Sequence, residues 1–199
     1  FVGNSVAAPV ITTLGLQPLL VDTISLAAHP GYGKIAGGVL DIACFSDILE
    51  AFSSLNILPN ISSIVTGYLG DARQVVPIEN LIKSWRLTHN EDLYILDPVM
   101  GDGGRQYVDD SIVNSIRKKL LPLAQIITPN HFELSLLIGE EIDTIEAIIS
   151  AGNKILEQNP LLHAVVVTGI SNASNGISDL SVNRQSVFKL DYAKRPYGI

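Results

Sequence analysis

Basic residues are scarce in this chain, cysteine is nearly absent, and no apolar run is long enough to cross a bilayer. Lys and Arg total 13 against 20 Asp and Glu in 199 residues, a formal net charge of −7. A nucleic-acid partner needs a clustered basic surface to neutralise its phosphates, so that class is set aside. One cysteine excludes an internal disulfide and any multi-cysteine metal site, which fits a reducing compartment: the cytoplasm, with the nucleus also open to it. That residue, Cys44, lies in the helical pattern DIACFSDILEAF and is expected in the core. No stretch approaches the ~18 apolar residues of a membrane span, and no basic segment precedes a short apolar one, so no membrane association is expected. Three motifs are missing as well. There is no Gly-x-Ser-x-Gly, no His-x-x-x-His and no Walker lysine, which weakens hydrolase, zinc and P-loop readings.

What is present is an alternation of apolar runs with amphipathic helical patterns. With 47% hydrophobic residues the chain can bury one sizeable core, so a single domain over 1–199 is expected, with no internal repeat. A Gly-Asn cap opens a helix with Val6, Val10, Ile11 and Leu14 on one side. Then come the strand-like PLLVDTISL, a helix over Gly38 to Leu55, ISSIVTGYLGD, a helix from Pro77 to about Leu87, and DLYILDPVMGD. The helix DDSIVNSIRKKLLPLA, QIITPN, the helices HFELSLLIG and TIEAIISAGNKILEQ, and HAVVVTGIS continue the order. The runs 61–66 and 164–168 carry adjacent apolar residues instead of a strict alternation, as expected of parallel strands with helices on both faces. Past Gly169, two short alternating runs, 177–182 and 186–190, predict an antiparallel edge hairpin. The expected fold is α/β, a three-layer α/β/α wound and mostly parallel sheet.

Ligands of such sheets bind beyond the carboxyl ends of the strands. The residues there are His29 in HPGYG, Thr66 in TGYLGD, Asp97 in DPVMGD, Thr128 in TPNHFE, and Thr168 with Gly169. Asp97 and Asp102, with Glu133 in the next loop, suit a hard cation bridging phosphate oxygens, because Mg²⁺ takes few protein carboxylates. Phosphoryl transfer is the leading chemistry. Plainer roles remain open at this point: Asp-Pro opens ordinary turns, Gly101, Gly103 and Gly104 permit positive φ, Glu133 favours a helix dipole, and Thr128-Pro-Asn130 caps a helix. His29 also reads as a loop histidine and Tyr68 as a half-buried strand-end aromatic.

VGN, HPGYGKIAGGVL, VTGYLGD, LDPVMGDGGRQYV, ITPNHFELSLLIG and VVVTGIS, in this order and spacing, resemble the pyridoxal kinases of the ribokinase-like superfamily. The resemblance implies ATP-dependent phosphorylation of the 5′-hydroxymethyl group of pyridoxal, pyridoxine and pyridoxamine, in a homodimer. It implies Asp97, Tyr107, Asn130, Glu133, Thr168 and Gly169 at ATP, and Val2, His29, Pro30 and Tyr68 around the vitamer. Asp97, Asp102, Thr128, Glu133 and Thr168 fall at the metal positions, for Mg²⁺ or Zn²⁺ and a monovalent cation, K⁺ or Na⁺. Two departures stand out. Pro30 replaces a threonine that holds the vitamin, and the GTGD segment, with its anion hole and general-base aspartate, has no match. The first strand, with its substrate serine, is also expected to precede Phe1, so the domain is expected to be incomplete at both ends. Alternatives are a hydroxymethylpyrimidine kinase of thiamine metabolism and a non-catalytic vitamer-binding paralogue.

Overall fold

The computed structural model describes residues 3–27, 36–171 and 176–193. Val2, His29 and Pro30 lie outside them. In chain order the elements are α1 (Asn4–Thr13), β1 (Ile24–Leu26), β2 (Gly37–Val39), α2 (Ile42–Ser54), β3 (Ser63–Thr66), α3 (Val75–Arg86) and β4 (Leu93–Leu96). They continue with β5 (Gly101–Asp102), β6 (Arg105–Gln106), α4 (Asp110–Ser115), β7 (Ile126–Ile127), α5 (His131–Ile138), α6 (Ile145–Gln158), β8 (Ala164–Ser171), β9 (Gly176–Asn183) and β10 (Val187–Ala193).

Six strands form the main sheet in the order β10-β9-β8-β7-β4-β3. The four from β3 to β8 run parallel, and β9 and β10 add an antiparallel edge. The α/β class, the mostly parallel sheet and the edge hairpin are therefore as expected. Two small antiparallel hairpins, β1–β2 and β5–β6, stand outside the sheet.

Side chains alternate across a strand, so register decides which of them meet the helices. Tyr94, Leu96, Ile127, Val165, Val167, Leu180 and Val182 share one face and are all buried. Helix α6 lies against this face so closely that a Cβ on Gly152 would sit 3.2 Å from Val182. Its inward residues, Ile148, Ala151, Ile155 and Leu156, carry the helical period of the sequence. Beneath β3 and β4 the same face holds a polar pair: Tyr94, at 0% exposure, shares a 2.8 Å hydrogen bond with the Thr66 hydroxyl. Burial pushes the Tyr94 phenol far above its ordinary range, and the Thr66 bond only partly offsets that.

Several local expectations are corrected. Val65, on the opposite face, is 58% exposed, so strand β3 is not covered on both sides. The run PLLVDTISL supplies only the three residues of β1, which pair with β2 instead of joining the main sheet. Gly37 to Val39 form that partner strand, so α2 begins at Ile42, where Asp41 accepts the Cys44 amide as N-cap. Cys44 is exposed, because Phe45 and Leu49 take the inward stripe of α2 and leave its neighbour outside. Helix α1 forms, yet its apolar side is open: Val6 is 44%, Val10 55% and Leu14 73% exposed. The helix after Asp109 starts as α4, widens into a π-turn over Ile116–Leu120 and tightens to 3₁₀ at Pro122.

Candidate active site

The carboxyl ends of β3, β4, β7 and β8 bring Thr66, Asp97, Thr128 and Thr168 side by side. Backbone bonds fix the row: Asp97 N–H donates to Thr66 O at 2.8 Å, Thr128 N–H to Leu96 O at 3.0 Å, and Thr168 N–H to Pro129 O at 3.0 Å. Asn130 and Thr168 add an isolated parallel bridge where β7 ends. Within the row the Thr128 hydroxyl donates to Asp97 Oδ1 at 3.0 Å. Among the described residues, the other Asp97 oxygen carries no hydrogen bond.

Helix α5 begins here with a reciprocal cap. Asn130 accepts the Glu133 amide at 2.9 Å, and Glu133 Oε2 accepts the Asn130 amide at 2.8 Å. Glu133, only 4% exposed, also takes the Met100 and Gly101 amides on Oε1, at 3.0 and 3.4 Å. Its carboxylate thus pins the Met100–Gly101 loop to the helix. Asn130 Nδ2 completes the clamp by donating to Gly101 O at 2.7 Å. The loop has no room to spare, since a Cβ on Gly101 would meet Arg105 O and the Phe132 ring at 2.5 Å. Gly101 is therefore fixed by space, whereas Gly103 and Gly104 have positive φ of 57° and 78°.

Burial raises the carboxyl pKa of Asp97, opposed by the Thr128 hydrogen bond. Glu133 is raised by burial first, with the Asp97 charge adding to the rise and the three amides opposing it. Asp97 lies near enough for its charge to reach Glu133, and a cation beside Asp97 would relieve that repulsion. Tyr107, 55% exposed, leaves the same loop, and its phenol is raised by burial and by the charges of Asp102 and Glu133.

The row brings together Asp97, Thr128, Asn130, Glu133 and Thr168. Asp102 is exposed and accepts the Gly103 amide at 2.7 Å. The Gly169 amide is engaged within the sheet by Asp179, at 2.9 Å. Among the described residues no three His, Cys, Asp or Glu converge as a ready metal cage. With both Glu133 oxygens on amides, Asp97 is the carboxylate that could hold a hard divalent cation here.

Tyr68 follows β3, is partly buried and packs against the core. Two residues beside it went unnoticed in the sequence, Thr23 and the fully buried Gln74. The Asp71-x-x-Gln74 spacing of a capping box was the available signal.

Comparison with known proteins bears on the same residues. A family model described as phosphomethylpyrimidine kinase matches residues 49–196. The chain belongs to the phosphomethylpyrimidine kinase family. Among relatives of this family member, a pyridoxine/pyridoxal/pyridoxamine kinase of Bordetella avium is 38% identical over 168 residues, 84% of this chain and 56% of its own length. The pyridoxal kinase of Entamoeba histolytica superposes with a TM-score of 0.89 at 27% identity, covering 98% of this chain and 70% of its own. That of Leishmania donovani, in complex with ADP and pyridoxamine, gives 0.88 at 27% identity, with 99% and 70% covered. The chain thus spans little more than half of the Bordetella relative, and the family match at 49–196 includes Thr66, Tyr68, Asp97, Thr128, Asn130, Glu133 and Thr168.

Proposed function

We propose that the protein containing this chain transfers the γ-phosphate of ATP to the 5′-hydroxymethyl group of pyridoxal, pyridoxine and pyridoxamine. The observation that carries the reading is the Asp97–Thr128 pair beside the Asn130–Glu133 clamp, one strand away from the Tyr68 loop. It is supported by the relatives' names and by the neighbour bound to ADP and pyridoxamine.

In this reading Asp97 holds the divalent cation, Mg²⁺ or in its place Zn²⁺, with Thr128 fixing the carboxylate's rotamer. When bound, the cation neutralises charge on the transferring phosphoryl group. Glu133 holds the Met100–Gly101 loop in place and, with Asn130, would border the nucleotide phosphates and the metal. Asp102, Thr128 and Thr168 border the site of a monovalent cation, K⁺ or Na⁺, and Tyr107 and Gly169 border the nucleotide. Tyr68 offers its ring face to the vitamer's pyridine, with Val2, His29 and Pro30 assigned around that ring. The resemblance assigns the proton of the attacking hydroxyl to the aspartate of a GTGD segment, a motif the 199 residues do not contain. A homodimer in the cytoplasm completes the proposal; among the described residues no helix is long and apolar enough to cross a membrane.

The test is formation of pyridoxal phosphate from ATP and pyridoxal by the protein in its full reading frame, followed by absorbance. No product with any vitamer overturns the reading. The family description favours one second reading, phosphorylation of a hydroxymethylpyrimidine. A higher kcat/KM for that substrate than for pyridoxal would establish it.

A further inference from the structure

Gln74 is 0% exposed, yet it lies just past a surface loop and every polar atom of its amide is used. Oε1 accepts the Gly70 amide at 3.0 Å and the Asp71 amide at 3.3 Å, closing the loop that follows Tyr68. Nε2 donates to Thr23 O at 2.7 Å, across 51 positions of sequence. That same carbonyl receives the Leu40 amide at 3.1 Å, the bond that closes the base of the β1–β2 hairpin. Thr23 returns the link, its hydroxyl donating to Tyr68 O at 2.8 Å. A steric contact joins the two segments independently of these bonds: a Cβ on Gly70 would stand 2.8 Å from Cγ2 of Val39 in β2.

We infer that Gln74 is a positioning residue that couples the β1–β2 hairpin to the Tyr68 loop, so that the aromatic wall and the hairpin hold one common position. The inference deepens the proposed function and rests on Tyr68 being the wall against the vitamer ring. A buried amide whose oxygen and nitrogen both hold partners is costly to disturb, because each orphaned partner loses water as well as its bond. Among the described residues β1 and β2 are three residues each, β2 is exposed throughout, and neither pairs with the main sheet. The Thr23–Gln74–Tyr68 junction is thus the point at which the hairpin's placement is decided, and Tyr68 is placed with it.

Gln74→Glu separates the two halves of the role. The carboxylate still accepts the Gly70 and Asp71 amides but presents an acceptor to Thr23 O. In the full-length protein, hydrogen exchange should speed up over residues 24–27 and 36–40 and leave β4 and β8 as in the wild type. KM for pyridoxal should rise about three- to tenfold, the size of one lost hydrogen bond, with KM for ATP unchanged. Thr23→Val should act in the same direction without placing a charge in the junction. Gly70→Ala should raise the same KM by pushing Val39 away, and adding Val39→Ala should restore it. Wild-type protection of the hairpin in Gln74→Glu and Thr23→Val, or equal changes in both KM values, overturns the coupling. The exchange measurement decides it even in a protein that turns over no vitamer, so its failure is distinct from failure of the kinase reading.

Discussion

The Thr128 hydroxyl reaches across from the end of β7 to donate to Asp97 at the end of β4, at 3.0 Å. It leaves a half-buried carboxylate oriented, and its remaining oxygen is available to a cation. Because burial raises the carboxyl pKa of Asp97 above its ordinary value of 3.8, the ionised form costs stability at neutral pH.

Asp97→Asn should therefore lower kcat and weaken its Mg²⁺ dependence while raising Tm at pH 7.5. The sign follows from linkage: the fold's advantage from a raised carboxyl is complete below the ordinary pKa and is lost as pH rises through the folded value. The difference in Tm between variant and wild type should shrink as pH is lowered toward 4. Full activity in the variant would return Asp97 to the role of a turn residue.

Glu133→Gln should move stability the other way. Three backbone amides converge on this carboxylate, and a glutamine NH₂ must confront at least one of them. The expected loss is about 1–3 kcal/mol, read by denaturant unfolding. An unchanged midpoint would show that the clamp does not hold the Met100–Gly101 loop.

Tyr68→Ala should raise KM for pyridoxal several-fold, since an aromatic face against a planar heterocycle contributes about 1 kcal/mol beyond burial. KM for ATP should stay near the wild-type value. Steady-state kinetics with each substrate varied in turn measures both, and a change confined to ATP would remove Tyr68 from the vitamer side.

Gly101→Ala should destabilise the fold although Gly101 lies outside the left-handed region, because backbone and ring both stand 2.5 Å from the added carbon. Gly101→Ala combined with Phe132→Leu should recover only part of the loss in Tm, as Arg105 O cannot withdraw. Equal stability of Gly101→Ala and wild type would contradict the close approach.

The parallel strands were legible because residues such as Val165 and Ile127 are selected for burial, and apolar runs advertise it. The strand-end row, Asp97, Thr128, Asn130 and Glu133, was legible as a place because the carboxyl ends of parallel strands converge, while the same residues also read as turn and cap residues, and Asn130 and Glu133 do cap α5. Strand β2 was not: Gly37 and Gly38 carry no β-propensity, and the strand exists through its pairing with β1 and the bond from Leu40 to Thr23. Cys44 was misread because helical periodicity gives a stripe, and only packing decides whether 44 or 45 faces inward. Gln74 shows the same limit from the other side, a polar residue whose burial depends on a partner 51 positions away.

Tyr94, sealed under the sheet with its hydroxyl on Thr66, gives the chain an internal optical reporter. In an alkaline titration this one of the six tyrosines should remain a phenol after exposed ones have turned to phenolate. Its near-ultraviolet signal should then arrive together with the loss of circular dichroism, because deprotonation has to wait for the strands to part. Stability should accordingly decline as pH climbs past the ordinary tyrosine value of 10.0, and Tyr94→Phe should remove both the delayed step and that share of the alkaline instability.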